Sequence, residues 1–154
     1  MKNLILGIGL LVFAGVATVS CNNDDDHQVS IVEMNTLPTS ALEFLATYFS
    51  DVEIFNIEKY APVQSNGAMY EVNFRNGSEI EFDQAGNWIK VEATDRNVIP
   101  TGFILPSIVA YTTTNYPTEG INQIEKTPAG FEVELTNDLD LIFDVNGQFV
   151  RINP

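Results

Sequence analysis

The chain is poor in the residues that carry most enzymatic and metal chemistry. Of its 154 residues, one is cysteine, one is histidine, one is tryptophan and 7 are Lys or Arg. A single cysteine rules out any intrachain disulfide. The only histidine, His27, follows Asp24, Asp25 and Asp26 in a polar stretch, and a solvated segment cannot fix ligand geometry, so no metal site is expected there. Beyond it there is neither histidine nor cysteine, which removes Ser-His-Asp and Cys-His nucleophiles and His-ligated zinc. No glycine-rich phosphate loop is present, and no cofactor is expected. Against the few basic residues stand 21 Asp and Glu, for a net charge of -14. That balance argues against nucleic acid and anionic membrane surfaces, which both need positive charge to displace counterions.

The N-terminus carries a targeting pattern. Lys2 gives a short basic start, Leu4 to Val19 is an almost unbroken apolar run, and Thr18-Val19-Ser20 leads into Cys21. The run is short for a spanning helix and suits a signal peptide. The junction resembles the lipobox of bacterial lipoproteins, with Thr18 where leucine is usual; the resemblance implies lipidation of Cys21 as the mature N-terminus. An ordinary cleaved signal and a retained anchor helix are the alternatives. Removing residues 1–20 leaves 6 Lys and Arg against 21 Asp and Glu, a net -15. The membrane would then be met through acyl chains alone. Residues 21–36 read as an acidic tether, since a like-charge run among polar residues does not pack. An acidic cluster just after a lipidated cysteine resembles an export signal to the outer leaflet of the outer membrane, so the expected address is a bacterial outer-membrane lipoprotein, surface-exposed or periplasm-facing.

The remainder is organised by a stretch that occurs twice. Phe82, Asp83 and Gly86 match Phe143, Asp144 and Gly147 at a spacing of 61, and Trp88 to Val91 match Phe149 to Ile152 in kind. Each copy predicts a hairpin: Asp opens a type I turn and a left-handed glycine closes it. In that geometry Phe82 faces Trp88 across the strands and both lie on the buried side. Upstream, Tyr70, Val72 and Phe74 alternate with Glu71, Asn73 and Arg75, then Asn76-Gly77 gives a hairpin signal before Glu79, Ile80, Glu81 and Phe82. Phe131, Val133 and Leu135 alternate with Glu132 and Glu134 in the second copy, and Leu139, Leu141 and Phe143 with Asp140 and Asp144. Before each meander comes a helix. The first starts near Leu37-Pro38, with Thr36 or Leu37 at the cap, and carries Ala41, Leu42, Leu45, Tyr48 and Phe49 on one stripe. The second, from Leu105-Pro106, is weakened by Thr112-Thr113-Thr114. Ile-Glu-Lys recurs at Ile57 to Lys59 and Ile124 to Lys126. The units span residues 37–93 and 99–153, each one helix and about four strands. The fold class is α+β: two αβββ(β) repeats that can share one antiparallel sheet with both helices on one face, leaving the other face polar and acidic.

In tandem, the Leu-Pro helix start, the strand meander and the Phe-Asp-x-x-Gly-x-aromatic hairpin resemble the PepSY-like lipoproteins, whose fold is similar to that of β-lactamase inhibitor protein. The resemblance covers about residues 37 to 153. It implies a small periplasmic or surface module that binds or inhibits, without known catalysis.

From the residues, the candidate contacts for a protein partner, a basic one being what a dense negative face would steer, are Glu71, Asn73, Arg75, Glu79, Glu81, Glu132, Glu134 and Asp140; the structural turns are Asn76, Gly77, Asp83, Gly86, Asp144 and Gly147. Three functions are weighed. The first is a lipid-anchored binding or inhibitory module that presents its acidic sheet face. The second, a surface capture protein for glycans or nutrients, needs exposed aromatic platforms, with Trp88 the obvious one. The third is an enzyme with carboxylates alone, such as a glycosidase dyad among Glu79, Glu81, Asp83, Asp138, Asp140 and Asp144, though acidic residues alternating with apolar ones are what any half-buried strand of an acidic protein shows. Asp144-Val145-Asn146-Gly147 touches the opening of a calcium loop, but its glycine comes too early and the later ligands are missing.

Overall fold

A computed structural model describes residues 28–153. Cys21, the apolar leader and the Asp24 to His27 cluster lie outside that range. The order of elements is β1 (Gln28–Ile31), a single 3-10 turn (Met34–Thr36), α1 (Thr39–Tyr48), β2 (Ile54–Ala61), β3 (Tyr70–Phe74), β4 (Glu79–Phe82), β5 (Trp88–Glu92), α2 (Pro106–Asn115), β6 (Ile121–Thr127), β7 (Gly130–Leu135), β8 (Asp140–Asp144) and β9 (Phe149–Asn153). The nine strands form one antiparallel sheet in sequence order, so the two repeats join through β5 and β6.

Alternation places one set of side chains under the helices. Val72, Ile80, Val91, Ile124, Val133 and Leu141 are fully buried and belong to one core with Ala41 and Leu45 of α1 and Ile108 of α2. Both helices therefore cover the same face. Phe44 of α1 packs edge-on against Phe82, and Tyr111 of α2 does the same against Phe143.

The hairpins repeat one bonding pattern. The Gly86 amide donates to the Asp83 carbonyl and the Asp83 amide to Asn87; Gly147, Asp144 and Gln148 do likewise. Both glycines hold a positive φ, 83° and 73°. Asp83 Oδ1 accepts from the amides of Ala85 and Asn87, and Asp144 Oδ1 from those of Asn146 and Gln148, so each carboxylate ties its own turn. The turn then docks on a helix N-terminus: Ser40 Oγ donates to the Ala85 carbonyl and Ser107 Oγ to the Asn146 carbonyl. Phe82 pairs with Trp88 across the strands as the sequence predicts.

Three expectations change. The tether predicted to reach Thr36 gives way to structure from Gln28, because β1 pairs with β2 from Gln28↔Ala61 to Ile31↔Glu58 and covers an edge that would otherwise stand open. Pro38 is the residue preceding α1, not a member of its first turn, whereas Pro106 does open α2. The weak second helix forms with the same 10 residues as the first. The Thr112 and Thr113 hydroxyls both donate to the Val109 carbonyl, which satisfies them within the helix.

The connector between repeats is packed as well. Ile99 and Ile104 are buried, and Phe103 meets Phe44, Tyr48 and Trp88 at centroid distances of 4.9, 5.3 and 5.3 Å. Asn122, inserted as a bulge residue in β6, donates its amide to the carbonyls of Ala93, Asp95 and Asn97 and so pins the connector to the second repeat.

Candidate functional site

The sheet face away from the helices is the site. Strand register lines its side chains into two rows that run across the strands. The first reads Glu58, Glu71, Glu81, Lys90, Glu125, Glu132 and Ile142 from β2 to β8; the second reads Asn56, Asn73, Glu79, Glu92, Gln123, Glu134 and Asp140. Glu58 faces Glu71, Glu71 faces Glu81, Glu79 faces Glu92, Glu125 faces Glu132, and Glu134 faces Asp140. Directly opposed like charges destabilise a sheet, at Cβ separations of about 5 Å. Within these rows only Lys90 is a cation; on β9 the first row continues to Arg151, opposite Ile142 at the sheet edge.

Local partners relieve part of this repulsion, and they do so unevenly. Tyr60 donates to Glu71 at 2.5 Å, Asn66 to Glu81 at 2.6 Å, and Asn73 to Glu71 at 2.9 Å. Lys90 Nζ lies 2.5 Å from Glu92 and 3.1 Å from Glu79. On the second repeat Glu132 accepts from Asn153, while Glu125, Glu134 and Asp140 accept no side-chain hydrogen bond among the described residues.

The charges respond to this setting. Burial raises Glu81 above the usual carboxylate range, against the Asn66 bond and Lys90 that act to lower it. Glu134 is raised too, by burial and then by Asp140, Glu92 and Asp138. Burial also raises the Tyr60 hydroxyl, and its bond to an ionised Glu71 adds to the effect. Burial of Lys90 works to lower it, but Glu92 and Glu79 outweigh that and hold its proton more tightly.

Seven of the eight candidate contacts lie in these rows. Arg75 does not: it falls in the β3–β4 turn, pairs with Glu53 at 2.6 Å and lies over the Phe55 ring. Glu58, Tyr60, Lys90, Glu92 and Glu125 were not among the candidates. The same alternation that marked Glu71 and Glu81 holds at Asn56 to Tyr60, at Trp88 to Glu92 and through the repeated Ile-Glu-Lys.

Trp88 is half-buried with its surface in use. Lys126 Nζ sits 3.7 Å from the centre of its ring and donates to its carbonyl, and Phe103 abuts it at 69°. Burial lowers the Lys126 ammonium, and Asp83 acts in the other direction; in its charged form it is attracted to the ring face. One indole face is thus taken by the Lys126 ammonium. Asp83 and Asp144, named above as possible acid–base partners, are occupied in their turns, and bonds from Asn87 hold Asp83 below its usual value against the opposing effect of burial.

No curated protein matches the chain. A family model described as "Putative beta-lactamase-inhibitor-like, PepSY-like" matches residues 68–151. Among solved structures, a "putative calcium-regulated periplasmic protein" of Bacteroides thetaiotaomicron is 30% identical, with a TM-score of 0.72 over 82% of this chain and 97% of that one. A periplasmic protein of the DUF2874 family from Bacteroides vulgatus is 27% identical with a TM-score of 0.71, over 86% of this chain and 100% of its own. A third, a periplasmic protein of unknown function also from Bacteroides vulgatus, is 27% identical with a TM-score of 0.73, over 83% and 99%. The family match spans more than half of the chain and the first relative is aligned over nearly its whole length, so this chain belongs to the PepSY-like family.

Proposed function

We propose that the chain is a non-catalytic binding or inhibitory module of the bacterial cell envelope, which presents its acidic sheet face to a basic protein partner. The observation that carries this reading is the set of five directly opposed carboxylate pairs on a face with one central cation. A sheet that had only to fold would gain by removing them. A cationic partner converts each repulsive pair into an attractive site, and the field of the face steers its approach. The periplasmic setting of the solved relatives supports the compartment. Anchoring at Cys21 is part of the proposal and follows from the lipobox-like junction. One relative is described as calcium-regulated, which is said of that protein alone; among the described residues here, no three or more His, Cys, Asp or Glu side chains gather as a metal site.

The test is capture from a cell-envelope extract on the immobilised chain at low and moderate salt, repeated with Glu71→Lys and Glu134→Lys. A stoichiometric protein released by salt and lost with both reversals supports the proposal. A protein retained equally by the reversed chains would sink it. A blank in which glycans bind instead transfers the function to nutrient capture.

A further inference from the structure

The two repeats differ in what lies beyond their last strand. β5 and β9 are equivalent: Trp88, Ile89, Lys90, Val91 and Glu92 correspond to Phe149, Val150, Arg151, Ile152 and Asn153, and both strands carry a bulge after the first residue. The outer edge of β5 is occupied by β6, in a register that sets Glu125 opposite Lys90, Ile124 opposite Val91 and Gln123 opposite Glu92. Among the described residues, nothing pairs with the outer edge of β9.

The consequences are visible in exposure. Val91 is 0% exposed, but Ile152 is 47%; Ile89 is 8%, but Val150 is 56%. Lys90 reaches two carboxylates, whereas the Arg151 guanidinium finds acceptors only on its own strand among the described residues, the Ile152 carbonyl and Asn153 Oδ1. An edge with unpaired amides and exposed apolar side chains is a template for strand addition, and natural sheets blunt such edges with proline, charge or a cover. Here β9 has one arginine and no proline between Phe149 and Asn153.

We propose that the outer edge of β9 is a strand-acceptor site for an extended segment of a partner protein. The segment adds antiparallel, with an apolar residue opposite Ile152 and a carboxylate opposite Arg151. The chain itself shows what that edge accepts, because β6 meets the equivalent edge with Ile124 and Glu125. Main-chain bonds would supply the affinity, and the apolar and acidic positions the specificity. A second copy is disfavoured as the occupant. The matching strand of another copy is β2, which carries Ile57-Glu58-Lys59, but its corresponding edge is already covered by β1. Among the described residues the outer edge of β1 is also open, yet no equivalent strand there shows what would pair with it.

The probe is a capped synthetic peptide with the sequence of residues 119–129, added to the full chain in detergent, with amide hydrogen exchange of Phe149 to Asn153 followed by NMR. Exchange in β9 is expected to slow as peptide is added. Changing Glu125→Lys within the peptide should weaken binding about threefold to tenfold, and an Arg151→Glu chain should reverse that preference. Arg151 is exposed, so the variant keeps the fold, which circular dichroism verifies. Unchanged exchange in β9 at millimolar peptide, protection that appears on β1 instead, or equal binding of the two peptides each overturns the proposal. Protection that grows with protein concentration in the absence of peptide overturns it in favour of self-pairing. The Glu71 and Glu134 pairs of the acidic face lie away from this main-chain edge, although Arg151 borders that face opposite Ile142, so these outcomes are read from exchange in Phe149 to Asn153 alone.

Discussion

Asn122 and Phe55 occupy the same place in the two repeats, 67 positions apart, each the residue skipped in the register of a long strand. Asn122 is 4% exposed with its amide on three carbonyls; Phe55 is 63% exposed. The backbone geometry is the same and the fates are opposite. What differs is the surroundings: the connector from Ala93 to Asn97 crosses the second bulge, and among the described residues the first has no such segment above it. In a duplicated fold the strand pattern fixes which positions correspond, while neighbours decide which become core, clamp or surface. The open face follows the same logic. Tyr60, Asn66 and Asn73 satisfy the carboxylates of the first repeat, and the second leaves three of its own without donors.

The strongest challenge to the equivalence is to cut the same core residue in both halves. Phe82 and Phe143 are both 0% exposed, each under one helical aromatic ring. Phe82→Ala and Phe143→Ala should each cost about 4 kcal/mol in urea unfolding, with one cooperative transition in both cases. Two transitions would mean that the repeats melt separately despite the shared sheet.

A smaller difference should appear at the turn glycines. A Cβ on Gly86 would meet Pro38 Cβ at 2.8 Å and the Ala41 backbone nitrogen at 2.9 Å, and backbone cannot step aside. On Gly147 the three nearest atoms are all in side chains, Ser107 Oγ, Ile108 Cγ1 and Leu105 Cδ1. Both positions hold a left-handed φ. Gly86→Ala should therefore cost about 3 kcal/mol and Gly147→Ala about 1.5 kcal/mol, the second being mostly conformational strain. Equal costs would show that the helix N-terminus of the first repeat yields more readily than its packing implies.

Much of this was legible in the sequence, for a definite reason. Period-two alternation and the Asp-x-x-Gly turns are local, so Tyr70 to Val91 and Phe131 to Ile152 could be read strand by strand, and the spacing of 61 then exposed the duplication. β1 was not legible, because Gln28 to Ile31 is short, polar at alternate positions and next to a charge run; only its partner β2 makes it a strand. The stretch from Glu92 to Asn97 is polar in the sequence, yet just beyond it Ile99, Phe103 and Ile104 pack into the core through contacts that no local period announces. The acidic face was foreseen, but its facing pairs were not, since register between distant strands sets them. Asn76-Gly77 marked a turn correctly, though Gly77 alone takes the left-handed conformation there. Asp138 takes the matching place at φ 64° in the second repeat, where the sequence offers no glycine to signal it.

The bulge comparison gives the next test. Asn122→Ala would leave three carbonyls of the connector without their donor and should cost about 2.5 kcal/mol. Phe55→Ala removes a ring that touches solvent and Arg75, and should change stability by less than about 0.5 kcal/mol. Comparable losses in thermal unfolding would mean that the exposed ring is packed in solution against something else.

The smallest effect is the pH response of the two faces, one raised carboxylate in each. A group whose folded pKa is raised binds its proton more readily folded than unfolded. Its stabilisation is present below the unfolded value and is lost as pH rises through the folded value. Glu81 and Glu134 both lie above 4.5, so lowering the pH from 7 toward 4.5 should raise the melting temperature, contrary to ordinary acid destabilisation. Asp83 acts in the other direction: its lowered pKa gives stability above the usual 3.8, lost as pH falls through the depressed value, so the gain should reverse only at lower pH. Glu81→Gln removes the contribution of the first repeat and keeps a polar group beside Asn66, and Glu134→Gln removes that of the second. If the faces differ as their hydrogen bonds imply, the two variants flatten the profile by unequal amounts. Glu81 loses its charge in a site with a donor 2.6 Å away, so its variant gives up that charge-assisted bond as well as the repulsion. Glu134 has no such bond to lose, only its burial penalty and the repulsion of Asp140, Glu92 and Asp138, and at pH 7 its variant should be the more stable of the two. The reverse order would mean that Asn66 fails to hold Glu81 and that the first face is as unsatisfied as the second.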